Sequence, residues 1–120
     1  MKITENFSRK EFVCRCNCGY DGISSNLVHR LQVIRDIIKV PITIHSGCRC
    51  RKHNVTIGGS AGSLHLIGDA ADWAVGVKEP QQKAHFHTML QEMLSEWSGG
   101  FHYYPGGDFF HCDVGKRRRW

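Results

Sequence analysis

The sequence predicts an α+β fold: a small, mostly antiparallel sheet with helices packed around it, in one domain spanning residues 1–120. Two stretches carry apolar residues at helical spacing, four short runs read as strands, and a Pro-Gly-Gly turn joins the last two of those runs. A chain of 120 residues has room for one modest core. Hydrophobic content of 41% against 22% charged residues argues against disorder. No apolar run approaches the ~20 residues that cross a bilayer, so no membrane insertion is expected.

Residues 1–22 read as an irregular, Cys-rich lead-in. A helix fits residues 24–39, where Leu27, Leu31, Ile34 and Ile38 recur with a period near 3.6 and Val28 and Ile37 widen the stripe. Ser24 or Ser25 caps its start, and Pro41 stops it. Residues 42–44, Ile-Thr-Ile, form a short strand candidate. Residues 47–68 are rich in Gly and polar side chains and predict a long structured loop, a feature usually tied to function. Residues 69–75 return to an apolar pattern and predict a strand. A second helix fits 80–97, with Pro80 at its first position and Phe86, Met89, Leu90, Met93, Leu94 and Trp97 as the core stripe. Strands at 101–104 and 109–114 then flank the turn Pro105-Gly106-Gly107.

The net charge is +5, and Lys116-Arg117-Arg118-Arg119 gathers four basic residues in a tail, 116–120. Such a balance favours anionic partners, or the tail is simply solvated. No secretory apolar stretch follows Met1, so the expectation is synthesis in the cytoplasm without a signal peptide. Six cysteines and eight histidines raise the prospect of metal binding.

In the segment 63–72, His65 leaves a Gly-rich loop and Asp72 sits on the following strand. In Phe109-Phe110-His111-Cys112-Asp113-Val114, alternation puts His111 and Asp113 on one strand face and Phe110, Cys112 and Val114 on the other. A His and an Asp sharing a buried face need a cation to meet them. Catalytic zinc takes three His or carboxylate ligands and keeps a fourth position for water, whose pKa it lowers towards neutrality. His65, Asp72 and His111 form a His₂Asp set of that kind, with Asp113 or Asp108 as a base. A satisfied core histidine or a turn-capping aspartate accounts for each residue equally well, so spacing alone leaves the matter open.

Ser46-Gly47-x-Arg49, His53-Asn54, Gly58-Gly59, Ser63-x-His65-x-x-Gly68-x-Ala70-x-Asp72, Tyr104-Pro105 and His111-x-Asp113 occur in that order. The series resembles the zinc D-alanyl-D-alanine carboxypeptidase family, whose relatives include phage endolysin peptidases, murein endopeptidases and the hedgehog signalling domain. The resemblance runs from about Asn6 to Trp120. It implies a hedgehog-like, D-Ala-D-Ala carboxypeptidase-like fold, zinc as cofactor, and His65, Asp72 and His111 as ligands. It also implies Arg49 on the carbonyl or carboxylate of the substrate, a task that suits a planar guanidinium, with Ser63 assisting. Many relatives carry an acid three residues before the third ligand, here Asp108. The His-x-Asp branch carries Asp113, which serves as general base or instead orients His111. His102 stands where relatives have a small residue.

The implied function is a zinc metallopeptidase hydrolysing an amide bond in peptidoglycan stem peptides or cross-links, as a D-Ala-D-Ala carboxypeptidase or a murein endopeptidase of phage-lysis type. It would be a monomer acting on the bacterial cell wall, with no nucleic-acid partner. Two alternatives are a non-catalytic zinc-containing binding module on the same scaffold and a small basic nucleic-acid-binding zinc protein, the latter with strongly salt-dependent affinity. Cys14, Cys16 and Cys18, with Cys50 or Cys48, could hold a structural zinc, pair as disulfides or stay reduced.

Overall fold

The computed structural model describes residues 1–120. Its elements run α1 (Ser25–Ile38), β1 (Ile42–Ser46), α2 (Arg51–Thr56), β2 (Ala70–Val75), α3 (Pro80–Met93), β3 (Gly100–Tyr104), β4 (Phe109–Asp113) and β5 (Arg118–Arg119). Short 3₁₀ turns occupy Arg9–Phe12, Leu64–Ile67 and Leu94–Glu96. The strands form one mixed sheet ordered β1-β2-β4-β3-β5. Every pairing is antiparallel except that of β5 with β3. The α+β architecture is therefore as the sequence predicts.

Helix α1 starts where Ser24 accepts a hydrogen bond from the Leu27 N–H, satisfying one of the free donors of a helix N-terminus. It ends one turn before Pro41, with Lys39 in the left-handed region. Leu27, Val28, Leu31, Ile34 and Ile38 are buried, but Ile37 is exposed. Helix α3 begins under Glu79, whose carboxylate accepts from the N–H groups of Gln81 and Gln82, with Pro80 at the first position. It tightens into the 3₁₀ turn at Leu94, short of the expected end at Trp97.

One face of the sheet builds the core. Ile44, Trp73, Phe110 and Tyr103 are cross-strand partners in a row over β1, β2, β4 and β3. Trp73 and Phe110 stack with ring centroids 4.8 Å apart. Residues of α1, together with Leu90, Leu94 and Trp97, join the same cluster.

Three regions differ from expectation. The lead-in is part of the core: Phe7 and Phe12 are fully buried, and Ser8 and Glu11 form a reciprocal cap at the Arg9–Phe12 turn. The predicted loop 47–68 contains α2 and the Leu64–Ile67 turn. The C-terminal basic residues are exposed, yet they are not a free tail: Arg118 and Arg119 add β5 to the sheet.

Candidate active site

The next row across the sheet, on the opposite face, carries the chemistry. Ser46, Asp72, His111 and His102 are successive cross-strand partners on β1, β2, β4 and β3. This is the period-two consequence of burying Trp73 and Phe110, since their sequence neighbours must point the other way. His65 arrives from the loop side. Ser63 caps the short turn by accepting from the His65 N–H at 3.2 Å, and Gly68 closes the turn with φ +74°. A Cβ at Gly68 would also collide with the Gly22 carbonyl, so both conformation and space call for glycine.

The His65 Nδ1 lies 2.6 Å from the Gly47 carbonyl oxygen. A carbonyl only accepts, so Nδ1 carries a proton, and Nε2 is the ring nitrogen turned towards the site, 3.4 Å from Asp72 Oδ1. His111 Nδ1 is 2.9 Å from that same oxygen. One donor atom from each of His65, Asp72 and His111 falls within 4.8 Å of the others, and all three residues are buried. Two imidazole nitrogens and a carboxylate oxygen converging on one point fit a divalent metal, and the three residues could hold one.

The local electrostatics have clear causes. Burial alone would raise the Asp72 carboxyl, but hydrogen bonds from His111 and His65 outweigh it and hold the group well below the usual carboxylate range. Burial also opposes a charged His111 ring, yet the hydrogen bonds to Asp113 and Asp72 prevail and lift its pKa. Arg49 reaches the other Asp72 oxygen with Nη2 at 3.2 Å. Its Nη1 donates to Asn54 Oδ1 and its Nε to Ser46 Oγ, each at 3.2 Å. The guanidinium is thus fixed at three points beside the candidate metal site.

These groups floor a cleft of about 640 Å³. Arg49, Ser63, His65, Asp72 and His111, all singled out in the sequence, line it together. Neither aspartate considered as a base does. Asp113 is completely buried behind His111 and accepts from His111 Nε2 at 2.8 Å, the Gly100 N–H at 2.7 Å, the Gly115 N–H at 3.1 Å and Arg118 Nη2 at 2.8 Å. Both oxygens are used, and the group sits where it orients the imidazole. Asp108 lies in the β3–β4 turn, paired with Lys83 and accepting from the Tyr103 hydroxyl at 3.1 Å. Nor does His102 join the cluster; it stacks flat on Trp120 with centroids 5.1 Å apart.

Several contributors were given no site role from the sequence. Tyr104, Lys116, Arg118 and Trp120 also line the cleft. Lys116, Arg118 and Trp120 alternate, and an extended tail would have put them on one side. Asn54 is buried, bridging Arg49 and the Ser60 carbonyl. The His53-Asn54 pair of the resemblance series was its signal in the sequence, with no role attached to it.

No curated protein matches the chain in sequence. The family model described as Peptidase M15 matches residues 5–113, from the lead-in through the last candidate ligand strand. A match over nearly the entire length, with metal-competent residues converging on a cleft, establishes that this chain belongs to the peptidase M15 family.

Proposed function

We propose that the chain is a zinc-dependent metallopeptidase that hydrolyses an amide bond in peptidoglycan stem peptides or cross-links, acting on the bacterial cell wall as a phage-lysis type enzyme. The observation that carries this reading is the convergence of His65, Asp72 and His111 on the floor of the cleft with Arg49 beside them. Zinc held by those three residues would polarise a substrate carbonyl and make bound water acidic enough to act near neutral pH.

The chain's own groups supply the rest. Arg49 presents a guanidinium locked by Ser46, Asn54 and Asp72, suited to the carbonyl or a neighbouring carboxylate of the substrate. The Ser63 oxygen is committed to the His65 N–H, which leaves its hydroxyl proton for a substrate acceptor. Lys116 and Arg118 add positive charge to the rim, in keeping with a peptide rich in carboxylates. Asp113 acts as a positioning residue that keeps the His111 ring turned with Nδ1 towards Asp72.

The test is mass spectrometry of purified muropeptides digested by the zinc-loaded protein, with and without a chelator. Shortened stems indicate carboxypeptidase action, and separated cross-links indicate endopeptidase action. Unchanged products, or cleavage that survives complete metal removal, would overturn the proposal. One observation favours a second reading: Asp72 is the only acidic side chain on the cleft wall. A non-catalytic metal-containing binding module would retain peptide affinity in calorimetry while leaving every muropeptide intact.

A further inference from the structure

The peptidase chemistry leaves six thiols unused, and the fold divides them into two kinds. Cys48 and Cys112 are buried in the hydrophobic cluster. Burial pushes the Cys48 thiol up to about 11 and that of Cys112 up to about 12, so both stay protonated and behave as small apolar side chains. The other four meet at one point. The sulfurs of Cys14, Cys16, Cys18 and Cys50 all lie within 4.8 Å of one another. Cys14 Sγ is 3.5 Å from Cys16 Sγ, and Cys16 Sγ is 3.6 Å from Cys50 Sγ.

Those separations discriminate between chemistries. A disulfide requires about 2.05 Å between sulfurs. Four sulfurs around a tetrahedral zinc, each at ~2.3 Å from the metal, stand about 3.8 Å apart along the tetrahedron's edges. The observed spacings are close to the second value.

The backbone is shaped to make this arrangement. In an extended strand, Cys14, Cys16 and Cys18 would be spread ~6.6 Å apart along one face. Here the chain curls instead. Asn17 takes φ 67° and Gly19 φ 85°, and the Cys14 N–H donates to the Tyr20 carbonyl at 2.8 Å to close the loop. Cys50 is delivered from 36 residues away, and its N–H donates to Cys14 Sγ at 3.4 Å. The His53 N–H donates to Cys50 Sγ at the same distance. Amide donors aimed at sulfur favour thiolates, and Arg15, Arg49 and Arg51 adjoin the ligands in sequence.

We propose that Cys14, Cys16, Cys18 and Cys50 form a second, structural metal site, closed by four thiolates and selective for a soft-ligand divalent cation such as zinc. With four protein ligands no position is left for water, so the site is not catalytic. Its effect is mechanical. It clamps the lead-in to the segment that ends at Cys50, which also bears the Gly47 carbonyl that orients His65 and the guanidinium of Arg49. Within that clamp, the Cys48 N–H donates to the Phe12 carbonyl at 2.8 Å.

The site is tested on the full chain, purified under reducing conditions, with readouts independent of catalysis. Cobalt(II) loaded into the wild type should give the intense near-ultraviolet thiolate-to-metal absorption of a tetrathiolate centre, and H65A/H111A should keep that band. Elemental analysis after zinc loading should find one equivalent in H65A/H111A and a further equivalent in the wild type. Cys16→Ser/Cys18→Ser should lose the thiolate band; if that variant fails to fold, the wild-type and H65A/H111A spectra decide alone. A wild type without thiolate absorption would overturn the proposal, as would zinc lost entirely from H65A/H111A, or intact masses showing disulfides among these four cysteines in the freshly reduced protein.

Discussion

Asp113 shows how much one buried carboxylate does. It is ionised despite complete burial because hydrogen bonds from His111, Gly100 and Gly115 outweigh the desolvation that would raise it. Asp113→Asn keeps the shape but removes the charge that holds the His111 Nε2 proton. Metal affinity should weaken about 10–100-fold, the usual effect of losing a carboxylate behind a ligand histidine, as read by competition with a chromogenic chelator. Asp108→Asn, by contrast, should leave metal affinity unchanged and muropeptide digestion within a few-fold of wild type, because Asp108 faces Lys83 and Tyr103 rather than the cleft. A digestion rate that collapses in Asp108→Asn would restore that residue as a base. Arg49→Lys exchanges a fork anchored at three points for a point charge. Turnover should drop about 10–100-fold, corresponding to ~1–3 kcal/mol of lost charge-assisted bonding, with metal content unaltered.

At the level of elements, the long strands and helices were legible because each has one buried face. Alternation in β4 was enough to place His111 and Asp113 opposite Phe110, and the 3.6 spacing in α1 located its stripe. The short elements were not. Helix α2 runs Arg51-Lys52-His53-Asn54-Val55-Thr56 with only Asn54 buried, so no apolar period marks it. Its place is set by tertiary hydrogen bonds, Asn54 donating to the Ser60 carbonyl and accepting from Arg49, invisible to any local pattern. The roles of the two aspartates were illegible for a similar reason. Position on a strand face was readable, but whether a carboxylate reaches the cleft depends on what covers it, here Gly100, Gly115 and Arg118. The tight contact between β3 and β4 makes a further expectation. A Cβ at Gly100 would run into the Asp113 carboxylate. Gly100→Ala should therefore destabilise the fold by about 1–3 kcal/mol and weaken metal binding as Asp113 is displaced, both measurable by urea unfolding with and without zinc.

On the scale of the whole molecule, the C-terminal residues close a structure that their composition describes only as a basic tail. Arg118 and Arg119 pair with Gly100 and Phe101. Arg118 reaches the buried Asp113, and Trp120 meets the rings of His102 and His111 with centroids 5.1 Å and 5.3 Å away. The segment therefore covers the side of the ligand strand that the rest of the sheet leaves open. Deleting residues 116–120 removes an ion pair whose Arg118 partner is half exposed, so the Coulomb part of the loss is small, at most about 1 kcal/mol. Loss of Trp120 burial and of the β5 hydrogen bonds brings the total to ~1–3 kcal/mol. By the usual scaling of unfolding entropy with chain length, each kcal/mol lowers Tm by about 4 °C in a domain of this size. The larger consequence falls on the site: Asp113 loses a charged donor and gains access to water, while the cleft loses Lys116, Arg118 and Trp120 together. The truncated chain should melt measurably lower by calorimetry, bind zinc more weakly at the His65–Asp72–His111 site, and lose affinity for anionic stem peptides. The tetrathiolate cobalt band should be unchanged, because no hydrogen bond joins Cys14, Cys16, Cys18 or Cys50 to this segment. A truncated chain with unaltered melting and metal affinity would show instead that β1, β2, β3 and β4 suffice to hold the site.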